Sequence, residues 1–288
     1  MSNDEDLYVH NNKWKDFKMF KAEKYYSYHS LQVRDVITVL QQFKSQIKWT
    51  SGQKIIDIGC GPGDVTYELL LPLIPDDAEL LAVDMDEKMI DLAKINYSSD
   101  ARLKFDVADL VKSKDIDKYE SCFDTVFSFY CLNWIPEKRL ALQNMYSMLK
   151  PGGEIVFSLV VDCPNWPLHE ILASSPKWSP FMKNYRDSIS PYHYSDDPLS
   201  EIRNLLQDVG FHIRHSSFTW ISYTFPSKPI FHKWLHGINP YLKNIPQCLL
   251  KEYEQEVKKT LWDEKLCILN EKGEVVYKYS VIRVFANK

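Results

Sequence analysis

From Ser30 to Phe43 the apolar residues Leu31, Val33, Ile37, Leu40 and Phe43 recur near helical spacing, which predicts an amphipathic helix. Beyond it the rhythm shortens. KIIDIGC (residues 54–60) is a β-branched run, GPGD a turn, and VTYELLLPLI an apolar helix broken near Pro72. ELLAVDMD reads as a second buried strand, Glu87 to Ile95 as a helix, and LKFDVADL as a third strand. FDTVFSFYCLNW is a fourth strand running into a loop. Arg139 to Leu149 is a helix ended by Lys150-Pro151-Gly152-Gly153, and EIVFSLVV is a fifth strand.

Strands alternating with helices at this spacing predict an α/β fold with a mostly parallel sheet. The strands are unbroken apolar runs, as expected when both faces are covered. Beyond Cys163 the pattern changes. Residues 163–197 are rich in Pro, Trp, Tyr and His and predict an inserted cap. Asp197 to Val209 predicts a helix ended by Gly210, and FHIRHSSFTWISYTF a long strand. Residues 226–265 predict a second helical, aromatic insertion. VVYKYSVIRVFANK closes the chain as a last strand. The 288 residues are therefore read as one domain: residues 1–48 as N-terminal helices joining the cap, and 50–162 as a cofactor-binding core.

Composition excludes several classes. The net charge of −4 lacks the basic face that phosphate neutralisation requires, so no nucleic-acid partner is expected. Lys13 to Lys24 is locally basic, but Phe17, Met19 and Phe20 interleave it, and it reads as an amphipathic helix. Six cysteines form no CxxC pair or His/Cys cluster, so no metal site is expected. Free thiols point to a reducing compartment, and the polar, acidic first residues carry no apolar signal segment. No apolar run approaches the about 20 residues that span a bilayer. A cytoplasmic location is the expectation. A homodimer is left open.

The sharpest chemistry lies in Asp57-Ile58-Gly59-Cys60-Gly61-Pro62-Gly63-Asp64. A GxGxG turn lets the backbone approach a ligand closely, but alone it also fits a dinucleotide site or a simple tight turn. Asp57, two residues before the first glycine, suits an ammonium and repels a pyrophosphate. Asp84 ends the next strand, where an acid can accept both ribose hydroxyls. Asp109 ends the third strand and could accept from an adenine amine. Together they point to a cationic nucleoside with an amino-acid tail, S-adenosylmethionine. NAD or an empty fold is the weaker reading.

This pattern resembles the Rossmann-like methyltransferase superfamily over residues 50–160 and the closing strand. The resemblance implies a seven-stranded sheet, with the last strand antiparallel between the fifth and sixth. It implies cofactor contacts from Asp57, Gly59, Asp84, Met85, Asp109 and Leu110, with Cys60 and Gly61 in the same loop. Ser128 would face the methionine side.

A narrower resemblance is to the insect juvenile hormone acid methyltransferases. It is carried by Ser30-Leu31-Gln32-Val33-Arg34-Asp35, by Phe127-Ser128-Phe129-Tyr130-Cys131-Leu132-Asn133-Trp134-Ile135, by Ile189-Ser190-Pro191-Tyr192-His193, by Asp196-Asp197-Pro198 and by Ile238-Asn239-Pro240. It implies that Gln32 and Trp134 hold the carboxylate of a hydrophobic acid, such as farnesoic acid or juvenile hormone acid. Tyr130 and His193 are further substrate-side candidates, each as readily structural. Two departures are visible: about 18 extra residues lie ahead of the matching helix, and Asn133 stands where His is common. Trp166, Trp178, Trp220, Trp234, Phe181, Phe225 and Phe231 are candidates for a greasy tunnel. Rival readings are a methyltransferase acting on carbon or phenol oxygen, and a non-catalytic binding protein of the same fold.

Overall fold

The computed structural model describes residues 29–288, so the reading of Lys13 to Lys24 and the extra N-terminal residues lies outside the described residues. Its centre is one mixed sheet. β1 (Lys54–Ile58), β2 (Glu79–Asp84), β3 (Leu103–Val107), β4 (Phe123–Phe129) and β5 (Leu149–Asp162) pair in parallel. β6 (His212–Phe225) and β8 (Val275–Asn287) complete the order β3-β2-β1-β4-β5-β8-β6. β8 runs antiparallel to both neighbours, as expected. The main path has the seven strands expected. An eighth, β7 (Ile268–Leu269), is a two-residue strand pairing with β8.

Side chains alternate across each strand, and both sides find a core. Ile56, Val126, Phe157 and Val284 join one cluster with Met145 and Leu206. Ile55, Phe127, Val156 and Phe285 join another with Val36, Val39 and Phe43 of α1 (Ser30–Phe43). α2 (Glu87–Tyr97), α3 (Lys138–Met148) and α5 (Pro198–Val209) supply the remaining cover. A third cluster fills the cap. There α4 (Asn165–Ser174), α6 (Lys228–Gly237) and α7 (Leu250–Asp263) bury Leu168, Phe231, Trp234 and Tyr253 against Tyr277 of β8.

Three local predictions change. The apolar segment after the glycine loop becomes a π turn (Thr66–Leu70) and a 3₁₀ turn (Leu71–Leu73), because Pro72 has no N–H to continue the ladder. β3 stops at Val107. The Ala108 N–H still bonds the Asp84 carbonyl, but Lys112 N–H then closes a turn on Asp109. Asp109 thus lies two residues past the strand. Lys150–Gly153, read as the end of the helix before the fifth strand, is absorbed into β5 as an irregularity between the Phe123–Leu149 and Thr125–Glu154 pairs.

Candidate active site

The strand order reverses between β1 and β4, and the crevice at the carboxyl ends of such strands is where open α/β sheets bind ligands. The glycine loop sits there. Gly59 has φ +78°, and an added Cβ would lie 2.3 Å from the Cβ of Cys131. Gly61 has φ +56° and faces open space. Its N–H donates to Asp84 Oδ2 at 2.9 Å, tying the loop to the end of β2.

A small cavity opens beside this loop, lined by His29, Gln32, Asp57, Gly59, Gly61 and Asp64 among others. Asp57 is buried and accepts the Thr66 hydroxyl at 2.6 Å. Burial, with Asp84 and Asp64 nearby, pushes its carboxyl up to about 7. A carboxylate so short of counter-charge fits a cationic ligand. Burial also raises Asp84 above the ordinary carboxylate range. The donor set fits an aminoacyl nucleoside: Asp57 for the ammonium, the glycine backbone for close approach, Asp84 for hydroxyls.

Other expected cofactor residues fall into different roles. Cys60 lines the cavity. Met85 is exposed at the end of β2. Leu110 is buried in the core, and its carbonyl accepts from Asn144. Asp109 pairs with Lys112 at 3.0 Å and accepts from Val111 N–H. Ser128 corrects the expectation of a ligand-facing hydroxyl. Its side chain is fully buried and donates to the Ile58 carbonyl at 3.0 Å, stitching β4 to β1.

A second cavity adjoins the first. It is lined by Gln32, Tyr130, Asn133, Trp134, Asn165 and Trp234, with apolar Leu31, Val160, Trp166 and Ile238. Gln32 and Tyr130 belong to both cavities and so stand at their junction. Trp134 is 52% exposed and forms part of the wall from a short turn after β4. The Gln32 Oε1 accepts the Trp234 indole N–H at 3.3 Å. Asn133 accepts the Val160 N–H at 2.7 Å, so this residue braces the loop against β5.

Tyr130 has φ +57°, a rare conformation for an aromatic residue and one found at ligand sites. Its hydroxyl donates to Asp35, as does that of Tyr279 at 2.5 Å. Arg34 completes the cluster at 2.8 Å from Asp35 Oδ1. Burial and the Asp35 charge hold both phenols well above their ordinary range, so they remain donors.

His193 is not brought to either cavity. Its ring packs on Trp166 with centroids 5.3 Å apart, and its Nδ1 lies 2.6 Å from Asp162. Of the tunnel aromatics, Trp166 and Trp234 line the cavity, whereas Phe225 and Phe231 pack in the cap core and Trp220 is exposed. The sequence reading missed Asp35, Asn165 and the His29–Asp64 pair, 2.5 Å apart. Asp64 carried one signal, its place at the end of the glycine loop. The others carried none, because their partners are distant in sequence.

A larger cavity of about 500 Å³ lies between α6 and α7, lined by His232, Leu235, Tyr253 and Lys258 among others. It shares no lining residue with the two above. No cluster of side chains suited to a metal occurs among the described residues, and no described helix is long and apolar enough to cross a membrane.

Comparison with known proteins agrees with this geometry. Residues 50–215 match the model of a methyltransferase domain. A juvenile hormone acid O-methyltransferase from Drosophila melanogaster is 34% identical over 201 residues, covering 69% of this chain and 67% of that protein. One from Bombyx mori is 29% identical over 276 residues, covering 94% and 98%. The solved YcgJ protein of Bacillus subtilis superposes with a TM-score of 0.55 at 15% identity, covering 87% of this chain and 98% of that one. The [4+2]-cyclase SpnF reaches 0.53 at 14% identity, covering 86% and 80%, so the fold alone does not fix the chemistry. The matched domain and the relatives together place this chain in the juvenile hormone acid O-methyltransferase family, as an S-adenosylmethionine-dependent methyltransferase.

Proposed function

We propose that this enzyme methylates the carboxylate of a hydrophobic acid, with an isoprenoid acid such as farnesoic acid or juvenile hormone acid as the substrate. The observation that carries the reading is the shared wall: Gln32 and Tyr130 line both the glycine-loop cavity and the apolar cavity beside it. S-adenosylmethionine supplies a methyl group on a sulfonium. Asp57, the Gly59–Gly61 backbone and Asp84 are the residues to hold it.

A carboxylic acid ionises at about pH 4 to 5, so it needs no general base at neutral pH. The protein has to orient one oxygen and exclude water, which is catalysis by proximity. Gln32 and Trp134 offer uncharged donors, which steady an anion without quenching its nucleophilicity. The lining of the second cavity contains no His, Asp, Glu or Lys. Its one thiol, Cys163, is pushed by burial up to about 12. A base for removing a proton from carbon or a phenol is therefore missing from that wall, which favours the carboxylate over both rival acceptors.

The cavity is about 80 Å³. Ligand clefts commonly run to roughly 300–1,000 Å³, so a long acid enters only when the cap parts and closes again over it. Burying an isoprenoid chain there contributes about 0.8 kcal/mol per CH₂. The relatives' names favour an isoprenoid acid. All six cysteines are free, which supports a reducing, cytoplasmic setting.

The test is a methyl-donor assay against a panel of terpenoid, fatty and aromatic acids. Methyl ester formation on the terpenoid acids, lost with Gln32→Ala, is the expected result. Full activity of Gln32→Ala on farnesoic acid would remove Gln32 from the site, and no ester on any acid of the panel despite S-adenosylmethionine binding would favour an acceptor other than a carboxylate. Absence of S-adenosylmethionine binding by calorimetry would instead leave only a non-catalytic relative of the fold.

A further inference from the structure

Most polar side chains of the acid cavity are already committed within the protein. The Gln32 carbonyl takes the Trp234 indole N–H, Asn133 takes a backbone N–H, and Tyr130 and Tyr279 give their hydroxyls to Asp35. Ser188 is bonded to the Tyr185 carbonyl and the Tyr241 hydroxyl. Asn165 is different. It lines the cavity from the first turn of α4, is 8% exposed, and its Oδ1 is buried without a hydrogen-bond partner.

One turn further along the same helix, His169 is 3% exposed, and neither ring nitrogen has a partner. Residues four apart share a helix face. Burial pulls the His169 imidazole down to about 3, so the ring is neutral, with one N–H and one bare nitrogen. Its ring stands nearly perpendicular to that of Tyr241 with centroids 4.9 Å apart, and Tyr241 is the partner of cavity-lining Ser188. One face of α4 thus carries three unpaired buried polar atoms, of which the Asn165 Oδ1 belongs to a residue that lines the acid cavity. Buried polar groups are almost always paired, so an unpaired one in a cavity wall calls for a partner that the protein does not supply.

The geometry points to a hydroxyl subsite: Asn165 accepts a hydrogen bond from a hydroxyl carried on the hydrophobic body of the acid, away from its carboxyl group. The argument is one of donors and acceptors. An ionised carboxylate has only acceptor oxygens and cannot satisfy a buried amide carbonyl. A plain hydrocarbon chain cannot either. A hydroxyl donates to Asn165 and keeps lone pairs for an N–H. The inference rests on reading this cavity as the acid's, and it makes Asn165 a determinant of which acid is preferred, with a hydroxylated acid favoured over farnesoic acid and juvenile hormone acid, whose chains carry no hydroxyl.

The experiment compares dodecanoic acid with its monohydroxy isomers on the full chain, by kcat/KM for methyl transfer and by calorimetric Kd with S-adenosylhomocysteine present. One isomer is expected to be favoured by about 10-fold or more, because a site built for a hydroxyl penalises the analogue that lacks it. Asn165→Leu is expected to bring that ratio close to one. Damage to the fold would lower both acids together and leave the ratio unchanged. Equal treatment of all isomers overturns the subsite, as does a preference that survives Asn165→Leu. Preference for an epoxy acid over every hydroxy isomer overturns the acceptor role of Asn165. Retained discrimination in Kd with no methyl ester formed supports the subsite and overturns the proposed reaction, so the two failures are separable.

Discussion

The Trp234 indole donates its N–H to the Oε1 of Gln32 at 3.3 Å, and both side chains are buried. Because the carbonyl end of the amide is occupied, the NH₂ end is left to meet a ligand. The side chain is thereby preset as a donor, the polarity an anion needs. Trp234→Phe keeps a ring among Phe225 and Tyr277, whose centroids lie 5.0 and 4.9 Å away, but removes the donor. KM for the acid is expected to rise about 3- to 10-fold, in line with the roughly 1 kcal/mol of a neutral hydrogen bond. Initial-rate kinetics check this. An unchanged KM would show that the amide is oriented by something else.

With Asp57 proposed to hold the ammonium, cofactor binding is expected to be pH-dependent. Burial first, then its neighbours Asp84 and Asp64, lift its carboxyl to about 7 against the opposing Thr66 hydrogen bond. Below that pH the empty protein holds Asp57 neutral, while an ammonium requires it ionised. Binding must then release a proton. The Kd of S-adenosylmethionine should fall as pH rises from about 6 to about 7, by at most tenfold per unit, and level off above. The sign for stability is opposite. The folded state holds a proton that the unfolded state has lost, so Asp57 makes the empty protein less stable as pH rises from about 4 to about 7. Asp57→Asn should bind more weakly and with little pH dependence over this range. Titration calorimetry in buffers of different ionisation enthalpy would count the proton, and a count of zero below pH 7 would remove the carboxylate from the ammonium's site.

Two glycines of one loop separate stability from binding. At Gly59 a methyl group would overlap Cys131 as well as holding φ +78°. Gly59→Ala should therefore lower the melting temperature strongly, by the equivalent of about 2 kcal/mol or more. At Gly61 there is open space, and only the +56° backbone resists a side chain. Gly61→Ala should cost about 1 kcal/mol of stability while its methyl stands where a ligand approaches. Thermal melts with and without S-adenosylhomocysteine distinguish them. The second variant should lose most of the ligand-induced shift, and retention of the full shift would mean that the ligand does not approach Gly61.

How much of this was legible in the chain depends on range. The strands and the closing antiparallel strand were readable because buried β-branched runs such as 55–58 and 281–285 repeat a local pattern. Asp57 and Gly61 were readable for the same reason, since one short strand-and-turn segment contains both. Ser128 was misread because its position at the carboxyl end of β4 says nothing about the Ile58 carbonyl beside it. His193 was left open between substrate-facing and structural roles because Asp162 and Trp166, beside which it packs, belong to other segments. Asn165 and Asp35 had no local signature: an unpaired amide or a shared carboxylate exists only once four segments meet.

Asp35 is the fastening of that meeting point. It is 3% exposed and accepts from Tyr130 beyond β4, from Tyr279 of β8 and from Arg34. Gln32 lies three residues earlier on the same helix, so this carboxylate fixes α1, and Gln32 with it, against the sheet end. An amide in its place keeps one acceptor oxygen and turns an NH₂ either toward the donor-only Arg34 or toward the two tyrosine hydroxyls, which must then give up donating to it. Arg34 keeps some solvent access, so no cation is left buried alone. Asp35→Asn is then expected to cost about 2 to 3 kcal/mol, the range for hydrogen bonds to a charged group. In a chain of this size that lowers the melting temperature by roughly 5 to 10 °C. Tyr279→Phe removes one donor from a carboxylate that keeps the others, and should cost about 1 kcal/mol. Calorimetric melts of the two variants side by side decide the matter. Equal losses would mean that the carboxylate is one bond among many, whereas the expected gap marks it as the junction on which Tyr130 and Gln32 both depend.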